Sequence, residues 1–457
     1  MATKTWRGEW WLPGTPDQRT PGQLVIDDEG NCRLELVGSL DLESEAAKES
    51  PQLANTLRGD RVKVIHGASR AKPITLLDCF TTSSDGFSAA SRSYQDIHVH
   101  EALIGAHVLH EQPVFVDAIV EIENLTRWLN VSDAVERSQE AEGEHAMTRH
   151  PPDLTCEMDG WTITARWLPQ PFQVQHKRAG LTVEGELAAY LTLTPPEPVA
   201  SREFQHAVHE LTDLITLAAG EASGLIKLTL IHRDPTSMPQ ADGTVYELST
   251  RVESFGARTH TARPDTPALE EWRFLFTCLD RPFIEVVPDW LQIRRRAPEA
   301  CNVYFGMRYA RPTFTEVRLL MMAITTEALH KALVNPAELS DEDLERFRRE
   351  SAEAVAGGVR MSRLRAAPTF QERAIGLAGL IDVEAIATVA GDLDVWSKRL
   401  RTARNNLAHT GNEDDDVDIF QLEWVTSSLI SLALMAELGI SAEVQQRAAR
   451  DILRPPR

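Results

Sequence analysis

Short alternating runs of hydrophobic and polar residues fill the first 300 positions of the chain. Successive side chains of a strand point to opposite faces of a sheet, so this alternation predicts half-buried β-strands. The runs are rich in β-branched residues and end at Gly, Pro, Asp or Ser, which favour turns. They are RLELVGSL (33–40), RVKVIHG (61–67), PITLLDCFTT (73–82), PVFVDAIVEIE (113–123), WTITARWL (161–168) and GLIKLTLIH (224–232). One helix is predicted over residues 201–220, and residues 265–300 are predicted to be mixed.

The spacing of apolar positions changes after residue 308 and becomes helical, with apolar residues every three or four positions. Four amphipathic helices are predicted, with apolar stripes at Val317, Leu320, Met321, Ile324 and Ala328; at Phe370, Ala374, Leu377 and Ile381; at Trp396, Leu400, Ala403 and Leu407; and at Ile419, Leu422, Val425, Leu429 and Leu432. Four such helices suffice for an antiparallel bundle. Residues 336–368 are predicted to be a polar insertion with a short charged helix and a Gly hinge.

These patterns predict an α+β multidomain protein. The proposed domains are a β-rich N-terminal domain over residues 1–308 and an all-α helical domain over residues 309–457. A length of 457 residues agrees with two or three domains.

Charge and cysteine content narrow the function classes. The formal net charge is −21, so any nucleic-acid contact must come from a local basic patch. The five cysteines are far apart and form no C-x-x-C pair, so neither a disulfide framework nor a zinc ribbon is indicated. The N-terminal residues do not resemble a signal peptide, and the longest apolar stretch, LISLALMAELGI (429–440), is too short to span a bilayer. We therefore expect a cytoplasmic protein without membrane contact.

A local group of basic and amide residues stands out in RTARNNLAHTG, residues 401–411. Arg404 lies at the border of the apolar stripe of its helix, while Lys398 and Arg401 lie outside the stripe. His409 would lie about 140° from Arg404 on a continuous helix. Either the helix ends near Ala408 and His409 turns back toward Arg404, or the site is completed across a two-fold axis. By spacing alone, an ordinary helix end with a basic last turn would also explain the segment.

Glu327 is a second candidate residue. It lies at the edge of the apolar stripe of the first predicted C-terminal helix. An unpaired carboxylate there would be costly, and pairing with Arg404 would both remove that cost and orient the guanidinium group.

Sequence resemblance gives these residues a context. RNNLAH, residues 404–409, resembles the R-x4–6-H motif of HEPN domains, with Asn405 as the polar residue after the arginine. FQERAIGLAGLI, WSKRLRTARNNLAHTG and WVTSSLISLALMAELGI resemble the corresponding parts of the Apea-like HEPN domain. Residues 8–40 and 105–130, beginning GEWWLPG and GAHVLHE, resemble the ApeA N-terminal domain of bacterial anti-phage proteins.

The resemblance implies a function. HEPN domains are helical, commonly dimerise with their motifs facing each other, and in many cases are metal-independent endoribonucleases. By this resemblance Arg404 and His409 would be catalytic, and Asn405 would orient one of them. We expect Glu327 to support Arg404. We expect Arg401 and Lys398 to contact the RNA backbone. No cofactor is expected to be needed. The substrate would be RNA, with tRNA as one candidate.

Two further expectations concern partners. The N-terminal domain would sense an unidentified phage-derived trigger or restrain the nuclease, and the protein would be a homodimer. The alternative function is a catalytically silent HEPN domain that binds RNA or a protein partner. The presence of both Arg404 and His409 favours the enzyme.

Three other features are interpreted as structural. The group His98, His100, Glu101, His107 and His110 contains an H-x-H pair, which could hold a metal, but it has no cysteine support and we expect no metal there. NEDDDVD, residues 412–418, is interpreted as a solvated acidic loop rather than a cation site. GEWWLPG, residues 8–14, is interpreted as core packing followed by a turn.

Overall fold

The structure is a computed structural model, and its description is confined to part of the chain. It describes residues 3–42, 61–84, 94–130, 135–140, 143–148, 151–169, 173–177, 180–184, 187–239, 245–257, 260–263, 266–267, 269–310, 314–334, 349, 368–409 and 418–453. The chain divides into two compact units. The first contains residues 1–215 and 223–268, and the second contains residues 216–222 and 269–457.

Sixteen strands are described in the first unit. They are β1 Lys4–Trp11, β2 Thr20–Ile26, β3 Cys32–Val37, β4 Arg61–Ser69, β5 Lys72–Ser84, β6 Tyr94–Ile104, β7 Phe115–Ile122, β8 Val135–Glu140, β9 Gly143–Thr148, β10 Leu154–Met158, β11 Trp161–Pro169, β12 Gln173–Lys177, β13 Gly180–Glu184, β14 Leu187–Thr194, β15 Leu225–Pro239 and β16 Val245–Gly256. Two helices lie between some of these strands along the chain, the short α1 Leu125–Leu129 and the long α2 Ser201–Ala219, and the last residues of α2 are assigned to the second unit.

The first six strands close into an antiparallel barrel. Its strand order is β6-β3-β2-β1-β4-β5, and β5 pairs back to β6. Alternating apolar side chains fill the interior, which is why the sequence of these strands alternates; Trp10, Leu24 and Leu34 are fully buried there. Trp11 is also buried, so the GEWWLPG segment supplies core residues as expected.

The sheet continues beyond the barrel from β6. Its further strands follow in the order β16-β15-β7-β14-β11-β10, and β8-β9 and β12-β13 form separate two-stranded ribbons. Within the first unit, α2 packs the buried ring of Phe204 against Trp161 of β11, with ring centres 5.3 Å apart. The predicted strands and the helix predicted over residues 201–220 are therefore confirmed.

The second unit is helical. Besides the end of α2, its described residues form α3 Phe283–Arg296, α4 Pro298–Tyr309, α5 Thr315–Leu329, α6 Phe370–Ala378, α7 Val383–Val389, α8 Leu393–His409, α9 Ile419–Glu437 and α10 Ala442–Asp451. A π-helical turn, His330–Val334, extends α5. The fold class, a β-rich N-terminal region followed by a helical region, is confirmed.

Three of the four predicted apolar stripes are on the buried side of their helices. Ala374 and Leu377 of α6, and Leu400 of α8, are buried. In α9 almost the whole circumference is buried, including Leu422 and Leu429. Helices α6 and α8 each have one distinctly apolar side, so the pattern predicts which side is buried. Helix α9 is apolar and buried on almost all sides.

The stripe predicted for α5 lies on the wrong face. Val317 and Ile324 are 45% and 41% exposed, whereas Leu319, Met322 and Ala323 on the other side of the helix are buried. The reason is that α5 is apolar on both faces, so periodicity alone does not identify the side that faces the core. The helix therefore keeps an apolar outer face.

Helix α9 is long and apolar enough to cross a membrane by length and composition alone, because it extends beyond the apolar stretch noted in the sequence. However, 67% of its most apolar window is buried inside the protein, as in the core helix of a soluble protein. A single helix of this kind is weak evidence for a membrane span.

Of the predicted loops, residues 336–368 fall outside the described residues except Arg349 and Pro368, and so do residues 412–417.

Candidate functional site

Three helices of the second unit bring opposite charges together. Glu327 comes from α5, Arg373 from α6 and Arg404 from α8. Arg373 Nη1 donates a hydrogen bond to Glu327 Oε1 at 2.7 Å, and Arg404 Nη2 lies 3.5 Å from Glu327 Oε2. One carboxylate thus bridges two guanidinium groups, and the pairing of Glu327 with Arg404 expected from the sequence is present. We call these three residues the arginine cluster.

Two further neighbours fix the position of Arg404. Its guanidinium carbon lies 5.3 Å from the centre of the Phe370 ring, and Nη1 donates to Asn405 Oδ1 at 3.3 Å. Phe370 is held in the first turn of α6 by a capping box, in which Thr369 and Glu372 satisfy each other's backbone N–H groups. The Arg404 side chain remains 35% exposed, so it is supported by the protein and still open to solvent.

Lys398 and Arg401 extend the positive charge along α8. Both are exposed, and Arg401 Nη1 donates to Gln371 Oε1 at 3.2 Å. Together with Arg373 and Arg404 they make four basic side chains on α6 and α8, while Glu327 of α5, Glu372 of α6 and Asp394 of α8 are the acidic residues of the same helices nearby. In a strongly acidic chain this is a local group of basic residues, of the kind that contact with a polyanion requires.

His409 is the last described residue of α8, one residue beyond the predicted end near Ala408. Positions 404 and 409 are therefore about 140° apart around the helix axis. The His409 side chain lies outside the described part of the structure. The two arrangements considered from the sequence, His409 turning back toward Arg404 and completion across a two-fold axis, therefore both stay predictions.

Arg373 and His330 were not identified from the sequence. His330 is buried in the π-helical turn after α5, and its ring lies against Gly376 of α6. Burial lowers the pKa of His330, and the nearby positive charge of Arg373 lowers that pKa further. The lowered pKa favours the neutral form of the His330 imidazole. In the sequence, Arg373 is marked only by its place in FQERAIGLAGLI. Its partner Glu327 lies 46 residues earlier, so the spacing of the two residues does not indicate that they pair.

The histidines of the N-terminal candidate cluster have separate partners. His98 lies 4.7 Å from the Phe80 ring, His107 stacks on His66 at 4.6 Å, and His110 Nε2 lies 3.1 Å from Asp78 Oδ1. Within the described residues, no group of three or more His, Cys, Asp or Glu side chains is placed to hold a metal ion.

Fold and site together define an α+β protein with a β-barrel-rich N-terminal region and a helical C-terminal region that carries a basic surface cluster. A family model described as ApeA N-terminal domain 1 matches residues 5–290. The match covers more than half of the chain, and the chain belongs to this family, that of ApeA-type anti-phage proteins. Family membership indicates a role in anti-phage defence. The chain matches no curated protein and no solved structure.

The family match contains both N-terminal stretches on which the resemblance rested, residues 8–40 and 105–130. It ends at residue 290, before α4 and the arginine cluster. The HEPN assignment of the helical region and the domain boundary at residue 308 therefore stay predictions.

Proposed function

We propose that this chain is an anti-phage effector whose helical region is a HEPN-type, metal-independent endoribonuclease. The observation that carries the proposal is the arginine cluster, in which Glu327 pairs with Arg404, whose side chain also lies against the Phe370 ring and stays about one-third exposed. A planar guanidinium held in this way is suited to bidentate contact with a phosphate group.

The reaction follows from the structure of RNA. A base removes the proton of a 2′-hydroxyl group, whose oxygen then attacks the adjacent phosphorus. The bond from phosphorus to the 5′ oxygen breaks, and an acid supplies a proton to that leaving oxygen. The products are a 2′,3′-cyclic phosphate and a 5′-hydroxyl end, and no metal is required.

The chain supplies residues for each part of this reaction. Histidine can act as base or acid near neutral pH, so His409 is proposed for proton transfer. Arg404 is proposed to hold the non-bridging oxygens, where negative charge increases in the transition state. Asn405, which already accepts a hydrogen bond from Arg404, would orient the guanidinium group. Arg401 and Lys398 would bind neighbouring phosphates of the RNA backbone.

Arg373 joins this proposed site because of its geometry. It shares the Glu327 carboxylate with Arg404, so the cluster has two guanidinium charges against one carboxylate charge. The excess positive charge favours a phosphate group close to both arginines. Arg373 is therefore proposed as a second phosphate contact.

A homodimer would complete the site. The reaction needs a base and an acid, and one protomer has one motif histidine. The outer face of α5 provides a surface for the second protomer, because Phe314, Val317 and Ile324 are exposed although apolar. Glu327 lies on the same helix, so a partner covering this face would lie next to the arginine cluster.

The remaining parts of the proposal concern control. The nuclease would act in the cytoplasm on RNA, with tRNA as one candidate substrate. The N-terminal region would restrain it and would respond to a phage-derived trigger. Family membership supports the defence role, and the basic surface of the helical region supports contact with RNA.

The test is incubation of the purified full chain with total cellular RNA, with and without EDTA, followed by mapping of the cut ends. We expect cleavage in EDTA with 2′,3′-cyclic phosphate or 3′-phosphate ends. His409→Ala and Arg404→Ala should abolish cleavage while the protein stays folded, and Arg404→Lys should restore little because the planar fork is lost.

These variants, prepared identically, also exclude a contaminating ribonuclease. Cleavage at the wild-type rate by both alanine variants would remove the nuclease assignment. A requirement for a divalent ion would disprove the metal-independent mechanism. RNA binding without cleavage in any preparation would favour a silent binding domain instead.

A further inference from the structure

The hairpin formed by β15 and β16 extends past both of its neighbouring strands. Strand β7 pairs with β15 as far as His232, and β6 pairs with β16 from Glu253 onward. In the remaining part of the hairpin, the two strands pair only with each other among the described strands. We call this two-stranded extension, residues 234–239 and 245–250, the arm.

Both faces of the arm are exposed along β16. Tyr246 and Leu248 lie on one face and are 60% and 52% exposed, although both are largely apolar. Glu247 and Ser249 lie on the opposite face and are exposed as well. A two-stranded hairpin without a covering layer is only marginally stable in water. A third strand beside the arm would add main-chain hydrogen bonds and cover part of its apolar face.

Hydroxyl groups fix the start of the arm to the sheet. Thr250 Oγ1 donates to the carbonyl oxygen of Asp234 at 2.8 Å, so Thr236 Oγ1, at 2.7 Å, is the donor in its bond to Thr250 Oγ1. These bonds lie at the bulge between His232 and Thr236, where the register of the two strands shifts. The arm therefore begins at a defined position, and its outer edge keeps a strand conformation with which another strand can pair.

The two edges of the arm differ in their capacity to pair. The β15 edge contains Pro235 and Pro239, which have no N–H group and are typical of edges that are protected from pairing. The β16 edge, residues 245–250, contains no proline, and no strand in the described part of the chain pairs with it. Its outward N–H and C=O groups are therefore available to an incoming strand.

The side chains of the β16 edge define the sequence of such a strand. Glu247 stands between Tyr246 and Leu248, and its carboxylate has no ion pair within the described residues. Opposite charges that face each other across two strands stabilise the pair, and so do apolar side chains. The complementary strand therefore has apolar residues at alternate positions and a lysine or arginine between them.

A second copy of the chain does not supply this complement. The nearest basic residue of β16 is Arg251, but the edge is already covered there, because a Cβ on Gly105 would lie 2.5 Å from the Arg251 carbonyl oxygen. Antiparallel pairing of two β16 edges within residues 245–250 would place two Glu247 carboxylates in the same short ribbon without a basic partner. The charge of the edge thus favours a different chain.

We propose that the β16 edge of the arm binds an extended segment of a partner protein, which adds to the hairpin as a third strand. The segment carries apolar residues beside Tyr246 and Leu248 and a basic residue opposite Glu247. Main-chain hydrogen bonds supply the affinity in this mode of binding, and the alternating side chains supply the specificity. The proposal is independent of the nuclease assignment, since the arm belongs to the first unit.

Fluorescence anisotropy of short dye-labelled peptides, titrated with the full chain, tests the proposal. The first peptide alternates lysine and valine, the second alternates glutamate and valine, and the third is the first with proline in place of its central valine. We expect the first peptide to bind and the other two to bind at least about tenfold more weakly. The second places negative charge opposite Glu247, and the third lacks a main-chain N–H group and disrupts the strand.

Variants at exposed positions locate the binding. Glu247→Lys should reverse the preference, so that the glutamate peptide binds more tightly than the lysine peptide. Leu248→Ser should weaken binding of the lysine peptide about tenfold, because an apolar contact is lost. Glu157→Lys is the matched control, because Glu157 is an exposed glutamate on β10, the strand at the open end of the same sheet. It should keep the wild-type preference.

The proposal is overturned if the lysine peptide does not bind, or if its proline form binds equally well. It is also overturned if Glu247→Lys, folded by circular dichroism, keeps the wild-type preference. Reversal by Glu157→Lys instead would assign the peptide to β10. Self-association of the wild-type chain that Leu248→Ser abolishes would make a second copy the occupant of the edge and would refute a separate partner.

Discussion

At the scale of single residues, Glu327 is best understood as a residue that orients two arginines. The side chains of Glu327 and Arg404 are about one-third exposed and that of Arg373 is 22% exposed, and solvent-accessible pairs of this kind contribute about 0–1 kcal/mol to stability. Its main effect is therefore on the direction of the guanidinium groups. Glu327→Gln should lower the turnover rate of RNA cleavage about tenfold, because Arg404 loses its charged partner.

The same substitution removes a negative charge from a surface that binds RNA. RNA affinity of Glu327→Gln, measured by fluorescence anisotropy, should therefore be equal to or tighter than that of the wild type while turnover falls. Glu384→Gln, at an exposed position in the first turn of α7, is the control and should change neither quantity. Weaker binding together with unchanged turnover would contradict a role of Glu327 in orienting Arg404.

Glu101 predicts a pH dependence of stability. Burial raises its pKa, so the folded protein holds a proton that the unfolded chain releases. Its contribution to stability is complete below the ordinary glutamate pKa of about 4.3 and is lost as the pH rises through the higher folded-state pKa. In Glu101→Gln this loss is absent, so the urea midpoint of the first unit should fall less steeply from pH 5 upward, as followed by tryptophan fluorescence.

Glu157→Gln is a suitable comparison for that measurement, because Glu157 is exposed in the same unit. Its variant should keep the wild-type pH slope. Equal slopes for Glu101→Gln and the wild type would mean that Glu101 does not hold its proton in the folded state.

At the scale of elements, two helix glycines should respond oppositely to alanine. In Gly376 of α6, an added Cβ would lie 2.8 Å from His330 Nε2, so the buried ring would have to move. Overpacking of this kind costs about 1–3 kcal/mol, of which the better helix propensity of alanine offsets up to about 1 kcal/mol. In Gly306 of α4, the added Cβ meets no atom within 4 Å, and Gly306→Ala should stabilise by about 0.5–1 kcal/mol.

Urea unfolding of both variants measures the difference. Gly376→Ala should also reduce RNA cleavage if the displaced His330 ring moves Arg373, whereas Gly306→Ala should leave cleavage unchanged. A stabilised Gly376→Ala protein would show that the His330 ring can move without cost.

The sequence predicts β3, β4 and β5 of the barrel, because one face of each strand lines a closed apolar interior, whereas β1, β2 and β6 were not among the predicted strands. It also predicts the orientation of α6 and α8, where polar and apolar sides differ clearly. It fails for α5, whose two faces are both apolar, since only the packing of neighbouring helices determines which face is buried. The short α7 was not predicted, because seven residues give too few repeats to establish a period.

Part of the candidate site was likewise accessible from the sequence. The pairing of Glu327 with Arg404 was expected because an unpaired carboxylate beside an apolar stripe is costly. The second partner, Arg373, depends on the packing of α6 against α5, which the sequence does not specify. The continuation of α8 through His409 was also uncertain, because Asn405 and Asn406 weaken helix propensity but do not end the helix.

At the scale of the whole molecule, the outer face of α5 predicts how the protein assembles. Val317→Lys and Ile324→Lys place charges on this apolar face without touching the buried face of the helix. We expect each to convert the proposed dimer into a folded monomer and to reduce RNA cleavage, as measured by light scattering after size exclusion. Val383→Lys, at a 78% exposed apolar position on α7, is the control and should stay dimeric. A wild-type protein that is monomeric while cutting RNA would refute the assembly.

A mixing experiment tests whether the two protomers share one reaction. Arg404 and His409 are about 140° apart on one continuous helix, and the reaction needs two protonation roles, so a composite site at a two-fold axis is expected. If His409→Ala protomers exchange freely with an equal amount of wild type, roughly a quarter of the dimers carry both histidines. At the same total protein concentration, activity should then be about a quarter of that of wild type alone if both histidines are required. It should be about half if each protomer acts alone. Exchange must be verified with differently tagged protomers, and a decline that follows the wild-type fraction in proportion would leave a single-histidine mechanism in its place.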